Sequence, residues 1–121
     1  MDSVQQRILD VIDSHSDELI AFAEDIYKHA EPGFREFRTA DIVAEKLQAL
    51  GLKVRENLAI TGVKAWLRPN HPTERMVSVC GIGELDGIKC PRHEFANPET
   101  GLSHTCGHHT QLGAMLGAAI A

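Results

Sequence analysis

Cysteine, aromatic residues and long apolar runs are all scarce in this chain, and each scarcity closes off a class of protein. The three cysteines, Cys80, Cys90 and Cys106, are odd in number and scattered through 121 residues. A disulfide framework needs an even set, so the pattern points to a reducing, cytoplasmic compartment. No window approaches the roughly 18 apolar residues of a membrane span. The opening MDSVQQRILDVIDSH carries charges among its apolar residues and lacks the basic stretch plus apolar run of a secretory signal. Basic residues are outnumbered, 12 against 17 acidic, for a net charge of −5, and they form no stripe. That balance excludes nucleic acid and anionic membrane as partners. Internal repeats and low-complexity tracts are also missing.

What is present suits one globular domain, with 43% hydrophobic and 24% charged residues. A chain of this size can bury about two thirds of the surface it would expose unfolded. Val4, Ile8, Val11, Ile12, Leu19, Phe22, Ala23, Ile26 and Ala30 recur at steps of three and four, which predicts one amphipathic helix over 3–30. Asp17, Glu18, Glu24 and Lys28 fall mostly on its other face. Pro32 disfavours helix at Glu31 and Gly33 frees the backbone, so HAEPGFREF ends the helix, with His29 and Glu31 at its close. A second helix is expected over 36–50, with Ala40, Val43, Ala44, Leu47 and Leu50 on one face and Gly51 as its closing residue.

Beyond Gly51 the period becomes two. Leu52 and Val54, then Val63, Ala65 and Leu67, alternate with polar or larger neighbours and predict two strands with one wet face each. RPNHPTER is a turn. MVSVCGI, 76–82, is apolar almost throughout and is expected at the centre of the sheet, covered on both faces. No period emerges from 83 to 105, a length of loop that is usually functional. TQLGAMLGAAIA reads as a helix buried nearly all round. It stops on Ile120 and Ala121 without a Gly, Asn, Lys or Pro to close it, so the reading expects a fragment of something longer.

Two clusters carry chemistry. In SHTCGHHTQLG, Cys106 and His108 stand two apart, and Gly107 permits a tight bend between them. A thiolate and an imidazole so placed can meet one cation at roughly 2.3 and 2.0 Å. The helix that follows presents its positive end, which suits an anionic sulfur. Equally, Cys106 with His108 or His109 could act as thiol nucleophile and base. The second cluster is Glu84 and Asp86 in GELDGI, directly after the apolar strand, where ligands of open α/β sheets gather. A cation uses both clusters, whereas thiol catalysis leaves the acids idle. His104 and His109 flank the pair, Cys90 and His93 could make a lesser site, and Cys80 reads as an inert core residue.

Several stretches together carry a resemblance. IYKHAEPGFREFRTADIVAEKLQALGLKVRENLAITGVKAWL, 26–67, resembles the N-terminal segment of the M20 metallopeptidase and amidohydrolase family; GELDGI resembles its acidic strand-end motif; HTCGHHTQLGAMLGAA, 104–119, resembles the Cys-Gly-His motif of its aminoacylase-like branch. The resemblance implies an α/β, three-layer zinc-peptidase-like fold. Residues 1–121 would be the N-terminal part of one catalytic domain, holding two helices, three or more strands and a buried C-terminal helix. It makes Cys106 and His108 metal ligands and Asp86 the catalytic-site acid supporting the metal and its water. Glu84 and His109 become further ligand or supporting positions; the family often has Asp or Asn where His109 stands. AEPG departs from the family's Pro-Glu order, and no role passes to Glu31.

The implied cofactor is a divalent metal, zinc or manganese, since a thiolate favours zinc while imidazole and carboxylate also admit manganese. The implied reaction is hydrolysis of the amide bond of an N-acyl amino acid or small peptide by metal-activated water. The family's general base and remaining ligands come later than residue 121, so the chain alone is expected to be inactive. The alternative reading is a non-catalytic metal-binding module, or a homo-oligomer that hides its apolar helix and open sheet edges against a second copy.

Overall fold

The periodicity over 3–30 is carried by two helices rather than one: α1, Ser3–Ser14, and α2, Ser16–Lys28. The computed structural model describes residues 2–67, 77–81 and 87–121, with 77–81 and 87–89 given by their backbone course. The break has a local cause. The carbonyl of Val11 accepts from Ser14 Oγ at 2.7 Å and meets His15 Nδ1 at 2.9 Å. The amide of His15 turns to Ile12 O instead. Side chains have taken the place of a helical backbone bond, and α2 starts afresh with Leu19 N donating to His15 O at 2.9 Å.

Asp2 begins α1, accepting from the amides of Val4 and Gln5 at 2.8 Å, while Gln5 Oε1 receives the Asp2 amide at 3.1 Å. This reciprocal capping box secures a helix that buries none of its described residues. Val4 and Ile8, expected on an inner face, stay 55% and 40% exposed. By contrast α2 buries Phe22 and Ile26.

The next helix, α3, spans Phe37–Ala49 within the expected 36–50 and buries Thr39, Val43, Ala44 and Leu47. Its end is a Schellman motif: Gly51 N donates to Gln48 O at 2.8 Å and Leu52 N to Leu47 O at 3.3 Å. Gly51 takes φ +77, a left-handed value that suits glycine. Its start is closed from a distance. Glu31 accepts from the amides of Arg38 and Thr39 and from the Thr39 hydroxyl. The expectation that Glu31 merely marks a helix end is therefore corrected, since its carboxylate satisfies amides that no residue inside α3 could reach.

Strands β1, Lys53–Leu58, β2, Gly62–Leu67, and β3, Val77–Gly81, form an antiparallel sheet in that order. The middle strand is thus β2, and among the described residues β3 pairs on one side, with Val63 opposite Gly81 and Leu67 opposite Val77. Among the described residues β3 is thus an edge strand and not the centre expected for 76–82, since an apolar run does not fix order within a sheet. From β2, Val63 and Ala65 enter a core made with Phe22, Ile26, Val43, Ala44, Leu47, Leu112 and Leu116.

The segment without a readable period contains a second, small antiparallel sheet. Here β4, Gly87–Lys89, pairs with β5, Leu102–His104, and Gly87 stands opposite His104. The intervening 90–101 is held by its own backbone, with Cys90 N donating to Gly101 O at 3.0 Å and Gly101 N to Asn97 O at 2.7 Å. Buried Asn97 also donates to Ala30 O at 3.1 Å, fastening this loop to the segment after α2.

Last comes α4, His108–Ile120. It is buried along one side through Leu112, Gly113, Leu116 and Gly117, while Ala114 and Ala118 are exposed. The expectation of burial all round is corrected, because small side chains leave little apolar area uncovered on the open face. Gly113 and Gly117 let α4 approach α2: a Cβ added at Gly113 would lie 3.4 Å from Ala23 Cβ, and one at Gly117 3.2 Å from Leu19 Cδ1. The described residues are thus a mixed helix-and-sheet arrangement, and no helix among them is long and apolar enough to cross a membrane.

Candidate metal centre

The chain passes from β5 into α4 through Thr105, Cys106 and Gly107. Gly107 is the turning point. Its φ of +78 and ψ of +16 lie in the left-handed region, and it occupies the cap position of α4. A residue with a Cβ is strained there. The Gly107 carbonyl accepts from Thr110 N at 3.0 Å and Thr110 Oγ1 at 2.6 Å, which locks the first turn. Cys106, a free thiol, is exposed immediately before the turn, and His108 is the first helical residue, half-buried. The predicted pair therefore stands where a helix presents its first amides, an environment that favours an anionic ligand.

The two adjacent imidazoles are engaged by different neighbours. His108 Nδ1 lies 2.9 Å from Gln111 Oε1, one turn along the same helix. His109 instead stacks on Tyr27 of α2, ring centroids 4.4 Å apart and planes at 23°. Successive helical residues diverge by roughly 100°, which is why neighbours in sequence face different partners. Tyr27 is the hub of a ring cluster. Phe95 lies 5.3 Å from it, tilted, and His93 6.1 Å from it, edge on. His104, buried at 3% exposure, has its ring 5.5 Å from that of His109. The 90–101 loop is thereby packed against α2 and the start of α4.

Charges at the end of α2 are paired. Arg38 Nη2 reaches both oxygens of Asp25, at 3.0 and 2.8 Å, and His29 Nδ1 sits 2.7 Å from Asp25 O. Fully buried Glu36 accepts from Thr61 Oγ1 at 2.7 Å, while its other oxygen meets no donor among the described residues.

Of the predicted site residues, the structure brings Cys106 and His108 to the two sides of one glycine and turns His109 toward α2. Glu84 and Asp86 lie outside the described residues, as does the side chain of Cys80. Among the described residues no group of three or more His, Cys, Asp or Glu side chains could hold a metal ion. Cys90 and His93 stand at the two ends of one turn, His93 N donating to Cys90 O, and the His93 ring meets the Phe95 amide and Tyr27. The sequence reading missed Tyr27, Gln111 and Asn97. Only Gln111 left a signal, its three-residue spacing from His108 on a predicted helix.

On the other side of α4, Ile8 and Ile12 of α1, Leu19 of α2 and Ala114, Gly117 and Ala118 line an apolar groove of about 530 Å³.

No family model matches the chain. Among curated proteins it is similar to thermostable carboxypeptidase 2 of Saccharolobus solfataricus, 30% identical over 120 residues that make up 98% of this chain and 30% of that protein. It is 29% identical over 118 residues to the N-acyl-L-amino acid amidohydrolase of Geobacillus stearothermophilus, covering 95% of this chain and 31% of that enzyme. A hippurate hydrolase of Campylobacter jejuni is 29% identical over 94 residues, 78% of this chain and 24% of its own length. The relatives are thus carboxypeptidases and amidohydrolases, and the chain spans about 30% of the length of the carboxypeptidase.

Proposed function

We propose, taking that likeness to hydrolases of amide bonds as the premise, that the chain forms part of the catalytic domain of an M20-type amidohydrolase of the Cys-Gly-His branch. The substrate proposed is an N-acyl amino acid or small peptide. The observation that carries the reading is the placing of Cys106 and His108 around the left-handed Gly107, directly after a strand whose last described pair is His104 with Gly87. Gly87 follows GELDGI's acids in sequence and stands opposite His104, two residues before Cys106.

The donor set fits a divalent cation, zinc or manganese: one thiol, one imidazole and two carboxylates within a few residues of paired strands. Bound there, the metal would polarise the scissile carbonyl and make a bound water acidic. Cys106 and His108 are assigned to hold it, and Asp86 is assigned as the catalytic-site acid. Glu84 supplies a further ligand or a hydrogen bond to one. His109, stacked on Tyr27, is assigned to the wall beside the metal. A three-layer zinc-peptidase fold and a cytoplasmic location belong to the same proposal. Because the match covers about 30% of the carboxypeptidase's length, turnover is assigned to a polypeptide that supplies the remaining ligands and the general base, and 1–121 alone is expected to be inactive.

The test is protection of Cys106 from alkylation. Zinc is expected to slow modification of Cys106 far more than of Cys90. Alkylation kinetics at Cys106 that ignore added metal would instead favour a thiol nucleophile.

The groove between α1 and α4 favours a second reading for the isolated chain, self-association through apolar residues. Light scattering tests it: concentration-dependent growth in mass supports it, and a monomer at high concentration removes it.

A further inference from the structure

The contact between His108 and Gln111 has a chemical consequence that neither spacing nor likeness supplies. A carboxamide oxygen only accepts hydrogen bonds. With the carboxamide placed so that Gln111 Oε1 lies 2.9 Å from His108 Nδ1, the ring nitrogen is the donor of this contact. Hydrogen on Nδ1 of a neutral imidazole leaves the ligating lone pair on Nε2. We propose that Gln111 is a positioning residue: it holds the neutral ring of His108 in the Nδ1–H tautomer and so presents Nε2 to a cation shared with Cys106. The inference rests on the metal-centre reading above.

Three observations argue that this contact is not simply a fold interaction. Gln111 is exposed, and it makes no other hydrogen bond among the described residues. Its neighbours Thr110 and Leu112 already do the structural work of the turn, one by closing on Gly107 and the other by entering the core. The spacing of three places Gln111 over His108 on the same helical face, so the ring is fixed in orientation as well as tautomer. Metal-bound histidines in general donate their second ring nitrogen to an acceptor that fixes the ring and raises its basicity. Here the acceptor arrives on the helix that bears the ligand.

Two readouts on the 121-residue protein test the proposal, with Gln111→Leu and Gln111→Glu beside the unaltered chain. The first is the tautomer of His108 in metal-free protein, from ring ¹⁵N shifts at a pH where the ring is neutral. The second is affinity for Co²⁺ alone, by competition with a chromophoric chelator. The unaltered chain is expected to carry hydrogen on Nδ1. Gln111→Leu should move it to Nε2 and weaken Co²⁺ binding by about 10- to 100-fold, the usual effect of losing such a partner. Gln111→Glu should keep Nδ1–H and restore the affinity. All three proteins should unfold at the same temperature, which separates positioning from stability.

An unchanged tautomer or affinity in Gln111→Leu would overturn the proposal. So would hydrogen on Nε2 in the unaltered chain, because the amide would then be donating to Nδ1. Nδ1–H together with no Co²⁺ binding by the unaltered chain would overturn the metal reading underneath it, an outcome the tautomer measurement tells apart from the others.

Discussion

Thr39 gives both its backbone N–H and its hydroxyl to a single oxygen of Glu31, at 2.7 and 2.6 Å, and the amide of Arg38 goes to the other oxygen at 2.9 Å. One carboxylate eight residues upstream of Thr39 thus replaces the side-chain cap that Glu36 does not provide. Glu31→Ala is expected to cost about 1–2 kcal/mol, the upper range for a lost helix cap. Glu31→Gln, which keeps an acceptor, should cost less. Urea unfolding of both variants checks the order; equal stability of Glu31→Ala and the unaltered chain would contradict it.

The bond from Thr61 to buried Glu36 joins the start of β2 to the start of α3. Thr61→Val keeps the shape but removes a donor from a buried carboxylate, an omission that costs roughly 1–3 kcal/mol. Thr61→Ser retains the hydroxyl and should remain closer to the unaltered stability. The same unfolding measurement decides, and Thr61→Val no less stable than Thr61→Ser would contradict the assignment.

Glu18 is held below the ordinary glutamate range by Lys46, whose ammonium donates to it at 2.9 Å and attracts its charge. A carboxyl whose folded pKa is lowered adds stability above its unfolded pKa, and that contribution fades as pH falls through the folded value. The pair is exposed and the effect small and salt-screened. An NMR titration should find Glu18 of Lys46→Met titrating at higher pH than in the unaltered chain. Coincident curves would remove the pair from the account.

Gly107→Ala places a Cβ in the left-handed region at φ +78, a strain of about 1–2 kcal/mol. Among the described residues beyond its chain neighbours, the nearest atom to an added Cβ is Thr110 Oγ1 at 3.9 Å, an ordinary contact. The loss should therefore come from backbone conformation alone and be accompanied by weaker metal binding, as Cys106 and His108 move apart. Thermal unfolding and metal titration of the same variant check both parts.

How far these features were legible follows from the kind of signal each one leaves. Helix α3 was readable because its apolar spacing and Gly51 are properties of adjacent residues. The split at His15 was not, because the Ser14 and His15 side chains that take over the Val11 carbonyl leave the apolar period intact across the break. Position of β3 among the described strands was misread because apolar composition does not specify strand order. The open face of α4 was misread because alanine is apolar in sequence yet costs little when exposed. At the site, the two-residue spacing of Cys106 and His108 was plain, and Gly107's role followed from its type. Tyr27 under His109 and Glu31 under α3 were not, since contacts between distant segments have no local pattern; the acids of GELDGI rest on sequence and likeness.

The account turns on Cys106 and His108 sharing a metal, and Co²⁺ absorption measures that directly. Titrated with Co²⁺, the chain should develop the near-ultraviolet band of sulfur-to-cobalt charge transfer. The band should vanish in Cys106→Ser and weaken in His108→Ala, with the fold intact in both by circular dichroism. No band in the unaltered chain, or a band that survives Cys106→Ser, would contradict the account.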